Sequence, residues 1–142
     1  MDLENNEKYS SGIYDIKEKK YYPKVFKNTS TIEFTNNPNI FIYLVSDEKN
    51  RPYKILQHTV GSDKDDIVLF EEKQEHIFLE TNPTKDNNYL VINSLTKDDS
   101  EIFLINLSLN ENDHLQTQIQ SLLKRQKDVK YFIEHFNVII IE

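Results

Sequence analysis

A chain of 142 residues has the length of one domain, and folding at that size removes roughly 70% of the unfolded surface from water. Its net charge of −7 opposes wholesale contact with phosphate backbones, and its lack of cysteine excludes disulfides, thiolate zinc sites and thiol nucleophiles. Tyr and Phe number eight each, so a few large rings must carry the core.

The opening MDLENNEKYSSG shows no apolar periodicity, and residues 1–11 read as a flexible arm ahead of a single β-rich domain over 12–142. It has neither a cationic start nor an apolar core, so no secretory leader is expected and the cytoplasm is the expected location. GIYDIK and YYPKVFK follow as short strands, with Pro23 confining the second to an edge or a strand start. STIEFT closes at the turn NNPN. IFIYLV then places Ile40, Ile42 and Leu44 on one face and Phe41, Tyr43 and Val45 on the other, as a central strand requires.

YKILQH, IVLFEE, HIFLE, NYLVIN and EIFLINLSL recur between turn signals, which predicts an antiparallel β-sandwich or partly open barrel. No internal repeat stands out. After Asn110 the apolar spacing changes: Leu115, Ile119, Leu122, Leu123, Val129, Phe132, Ile133 and Phe136 predict a helix over about 113–136, with Asp113 and Gln116 as a capping pair. NVIII then predicts a short terminal strand. It either lies parallel to residues 101–109 through a crossover or adds to a neighbouring subunit. The expected fold is mainly β, α+β by count, with one C-terminal helix.

For chemistry, HTVGSDKDDIVLF gathers Asp63, Asp65 and Asp66, but Gly61 precedes the acids and Lys64 sits among them. The spacing of a calcium loop is absent and a solvated hairpin turn is expected, as it is for TKDDS. His58, His76, His114 and His135 form no close pair of zinc-ligand spacing. With glycine at 12 and 61 alone, neither a nucleophile elbow nor a phosphate loop can be written. Lys17, Lys19, Lys20, Lys24 and Lys27 interleave with Tyr14, Tyr21, Tyr22 and Phe26, a pattern shared by single-strand nucleic-acid platforms and by guarded sheet edges. The net charge favours the edge. Lys124, Arg125, Lys127 and Lys130 form a second basic patch on the helix, where Lys124 and Lys127 lie off the apolar stripe as a solvated face requires.

By exclusion, the sequence points to a non-enzymatic structural or assembly module without cofactor or metal. It would form homo-oligomers through its termini, with Val138, Ile139, Ile140 and Ile141 as the interface, and bind other structural proteins rather than nucleic acid or membrane. A bacteriophage virion component, as connector, tail or baseplate protein, is the concrete expectation. One alternative is a small acidic protein that binds or inhibits one protein partner. Another is a carbohydrate-binding sandwich using Tyr21, Tyr22, Tyr53 or Tyr89.

Overall fold

Short apolar runs of period two, broken by Asn-, Asp- and Pro-rich turns, fold here as antiparallel strands. The structure is a computed structural model that describes residues 9–108, 119–135 and 139–141, the last three through their backbone. A hairpin of β1 (Ser10–Asp15) and β2 (Lys20–Lys27) comes first. A four-stranded meander follows: β3 (Thr29–Phe34), β4 (Ile40–Ser46), β5 (Pro52–Thr59) and β6 (Ile67–Glu71). A second meander comprises β7 (Phe78–Pro83), β8 (Tyr89–Leu95), β9 (Ser100–Asn106) and β10 (Ile119–Leu123). Last is the pair β11 (Ile133–His135) and β12 (Ile139–Ile141).

These four sheets stack face to face with three apolar layers between them. Phe26 of β2 packs on Phe41 and Tyr43 of β4. The opposite face of the first meander, with Ile42, Leu44, Ile55 and Leu69, meets Leu79, Leu90, Ile92, Ile105 and Leu107 of the second. The far face of that meander, with Val91, Ile102 and Leu104, meets Ile133. Each meander is thus covered on both sides, which is why β4 is apolar on both faces. A sandwich has one core and wet outer faces, so the expected sandwich is replaced by a row of sheets.

The two meanders repeat in detail. Thr35 and Thr84 close the first turn of each, with their amides and hydroxyls donating to the carbonyls of Ile40 and Tyr89. Asn39 and Asn88 then accept from the amides of Val60 and Leu107. The first strands of successive sheets, β3, β7 and β11, begin about 50 residues apart, the spacing of propeller blades. A repeat is therefore present where the sequence suggested none.

Three further expectations are corrected. Among the described residues there is no helix: Ile119–Leu123 is a strand antiparallel to β9, and residues 124–132 are irregular. A register shift between Ser121 and Leu123 lets Leu122 and Leu123 both reach the outer layer while Ile119 packs on the inner one. That bulge reproduces helical spacing in a strand. The pair Asp113 and Gln116 lies outside the described residues. The terminal strand makes no parallel crossover, because Ile139, Ile140 and Ile141 pair antiparallel with His135, Glu134 and Ile133. Of the arm, Ser10 and Ser11 are already in β1, opposite Lys27 and Phe26; residues 1–8 lie outside the described ones.

Candidate functional site

The densest polar cluster grows from the loop between β5 and β6. Gly61 takes φ +78°, a left-handed conformation that side chains rarely adopt, and turns the chain so that Asp66 points inward just before β6. The Asp66 Oδ1 accepts from Lys24 Nζ at 2.7 Å and from the Nδ1–H of His58 at 2.7 Å, while Oδ2 accepts from the Tyr43 hydroxyl. The carboxylate is 6% exposed and His58 2%, so three donors from β2, β4 and β5 converge on one buried charge. Burial by itself would raise the Asp66 carboxyl. The hydrogen bonds from Lys24, Tyr43 and His58, and the charge of His58, outweigh it and hold the group below its ordinary value. Burial, then the bond to Asp66 and its charge, push the Tyr43 phenol up. The ring of Phe26 lies 4.9 Å from His58 and 5.0 Å from Tyr43, closing the hub from the hairpin side.

Asp63 and Asp65 face solvent as a turn should, but Asp66 does not, and treating the three alike missed the hub. One signal was readable. His58 shares a strand face with Leu56, and a ring at an inward position needs a buried partner.

Two smaller clusters tie the sheets at other points. His135 Nδ1 lies 2.5 Å from Asp86 Oδ2, and its ring packs on Tyr89 with centroids 4.7 Å apart. Against a desolvation that would raise it, bonds from Thr84, the Asn88 amide and His135 lower the Asp86 carboxyl to about 2. At the opposite end of the strands, Arg51 Nη1 donates to the carbonyls of Glu72, Gln74 and Ile77 at 2.8–3.2 Å, pinning the crossing between the meanders. His76 sits on that crossing; His114 lies outside the described residues.

The basic patch of the sequence falls on the irregular segment after β10. Arg125 Nη1 meets Asp99 at 2.5 Å, and Nη2 donates to the Ser94 carbonyl and hydroxyl at 2.8 and 2.9 Å, so its charge is used internally. Lys124 reaches Glu101 only at 3.9 Å from an exposed position, and Lys127 and Lys130 belong to the irregular segment that follows. Of the expected interface, Ile139, Ile140 and Ile141 form β12; Val138 lies outside the described residues. The four tyrosines weighed for sugar stacking make no common platform. Tyr89 packs on His135, Tyr53 lies under Arg51 and Lys54, Tyr22 is half-buried, and Tyr21 stacks on Tyr14. Among the described residues no three His, Asp or Glu side chains converge as a metal site would require.

Comparison with known proteins then decides the family. The sequence profile described as prolyl oligopeptidase, N-terminal β-propeller domain, matches residues 1–140. The chain belongs to that family. Residues of the prolyl endopeptidase-like protein of Gallus gallus are 26% identical over 137 positions, covering 96% of this chain and 18% of that protein. Protease 2 of Moraxella lacunata is 26% identical over 107 positions, 75% of this chain and 15% of its own length. The fold matches oligopeptidase B from Leishmania major with a TM-score of 0.80 at 22% identity, over 92% of this chain and 18% of that one. Oligopeptidase B from Trypanosoma brucei, with covalently bound antipain, gives 0.73 at 20% identity, over 84% of this chain and 17% of that one.

Each meander is accordingly a blade of the prolyl oligopeptidase propeller, and the chain spans under a fifth of its relatives' length. Family membership overturns the expected bacteriophage virion component, the assembly module and the two binding alternatives. It also overturns the expectation of a non-enzymatic protein. The relatives are peptidases, although the matched part is their non-catalytic propeller.

Proposed function

We propose that this chain supplies two complete blades and two half-blades to the non-catalytic propeller of a peptidase acting on oligopeptides. The observation that carries the reading is the profile match over residues 1–140, joined to four antiparallel sheets stacked through three apolar layers. Blades of four strands set around a central channel are what such a stack generates when continued. The chain's contribution is positional: the Asp66, Asp86 and Arg51 clusters lock neighbouring sheets in one register, and hydrolysis falls to residues elsewhere in the longer protein. The test is hydrolysis of internally quenched oligopeptides. The full-length protein carrying this chain cleaves them and residues 1–142 alone do not. Cleavage by residues 1–142 alone, or an inert full-length protein, overturns the proposal.

A further inference from the structure

The two faces of the blade β3–β6 are covered to different extents at their outer ends. β6 continues through residues 72–77 before β7 begins, whereas β2 turns into β3 through Asn28 alone, at φ +55°. A crossing segment therefore shields one face and is missing from the other.

Counting from Thr35 and Thr84 locates what is missing. The strand pairs Tyr43 with Leu56 and Val45 with Lys54 in the first blade correspond to Ile92 with Phe103 and Ser94 with Glu101 in the second. In the second blade this row is filled by its neighbour: the Phe70 ring packs on Phe103 with centroids 4.9 Å apart, and Glu72 Oε2 accepts from the Ser94 hydroxyl at 3.4 Å. In the first blade the same row, Tyr43, Val45, Lys54 and Leu56, lines a groove of about 450 Å³ together with Lys24 and Lys27 of β2. Lys24 and Asp66 neutralise each other, so Lys27 and Lys54 face one further acid there, Asp65, and the lining is net positive in a chain of charge −7. No residue of β1 lines the groove, which lies on the β2 side of the hairpin.

We infer that this groove docks an extended segment of a partner protein that carries an aromatic residue and, two positions later, a carboxylate. That is the arrangement Phe70 and Glu72 bring to the corresponding row of the next blade. The ring covers Val45 and Leu56, as Phe70 covers Phe103, and the carboxylate reaches the Lys54 ammonium, so apolar area supplies affinity and charge selects the acidic partner. The inference goes beyond the propeller reading and uses it only to place β2, like β6 and β10, at the outer rim, where a second protein has access.

The chain itself supplies the probe: a fluorescent peptide copying residues 67–73, IVLFEEK, is added to the full-length protein carrying this chain. Anisotropy reads binding, and mass spectrometry checks that the peptide is recovered intact. Lys54→Glu in the protein, and Phe70→Ala or Glu72→Lys in the peptide, are each expected to weaken binding about ten-fold or more. Lys49→Glu, at an exposed lysine of the β4–β5 turn, leaves it unchanged. The Glu72→Lys peptide regains binding to the Lys54→Glu protein. Should Lys54→Glu fail to fold, since it lies opposite Glu71, Lys27→Glu on the exposed β2 makes the same test of charge. No binding by the wild type, equal binding by the wild type and the charge-reversed protein, or binding that survives Phe70→Ala would each overturn the inference. Peptide hydrolysis is measured separately. An inert protein that binds the probe would remove the peptidase proposal alone, and an active peptidase that does not bind it would remove the docking site alone.

Discussion

The two seams flanking the blade β3–β6 are built from different physics. Toward β7–β10 the contact is aliphatic, with Ile42, Leu44, Ile55 and Leu69 set against Leu79, Leu90, Ile92, Ile105 and Leu107, most of them fully buried. Toward β1–β2 it is aromatic and charged: Phe26, Phe41, Tyr43 and His58 lie 4.9–6.0 Å apart around the carboxylate of Asp66. Apolar burial has no preferred direction, so the first seam draws its stability from area, and its register is fixed at one end by the hydrogen bonds of Arg51. The second binds at defined angles, because a misplaced β2 would leave Asp66 charged, buried and short of donors. A complete blade can rely on area. A half-blade, offering less area, is held by direction.

Truncation inside the aliphatic seam should therefore have the largest effect. Leu90→Ala, at a side chain wholly removed from solvent, is expected to lower stability by about 2–5 kcal/mol in urea unfolding, through lost transfer energy and an unfilled cavity. A loss under about 1 kcal/mol would mean that the blades do not form this seam. Because apolar burial carries no charge, the loss should be the same at every pH where the protein stays folded.

Breaking the hub should cost less and depend on pH. Asp66→Ala leaves the His58 and Tyr43 donors without their acceptor, while Lys24, 37% exposed on its side chain, can turn to water; about 3 kcal/mol is expected at pH 7. The sign follows from the lowered carboxyl of Asp66. A group whose folded pKa lies below its unfolded value near 3.9 stabilises fully above that value and ceases to as pH falls through the folded one. The gap between wild type and Asp66→Ala should thus be constant near neutrality and narrow below about pH 4. A urea midpoint series that shows the gap widening in acid would remove the hub as an anionic anchor.

The same contrast explains what the sequence disclosed. Ile40–Val45 announced a strand covered on both faces, because alternation reports burial on each side independently. It did not say whether the cover was one sheet folded over or two different sheets, and hence whether the fold was sandwich or propeller. The repeat was present as Thr35 with Asn39 and Thr84 with Asn88, two residues in each turn rather than a run of identities, so the varied strands around them hid it. Asp66 was hidden because its donors Lys24, Tyr43 and His58 lie on three strands, and convergence across sheets leaves no spacing to read. The false helix arose where Leu122 and Leu123 straddle a bulge.

The smallest effects should come from the lysine that the sequence grouped with Arg125. Both were grouped in one basic patch, yet Arg125 holds Asp99 and the Ser94 carbonyl and hydroxyl, whereas Lys124 stands 3.9 Å from Glu101 with 80% of its side chain exposed. An exposed pair at that distance contributes little against the entropy of ordering two long side chains. Lys124→Ala is accordingly expected to change stability by less than about 0.5 kcal/mol, with what little effect there is vanishing in high salt. Arg125→Ala should destabilise measurably more, and that excess should persist in salt, because it reflects the lost hydrogen bonds to the Ser94 carbonyl and hydroxyl near the end of β8 rather than a screened charge alone. Equal losses for the two variants under urea would show that position in the chain, not the hydrogen bonds of Arg125, sets the strength of that end of the blade.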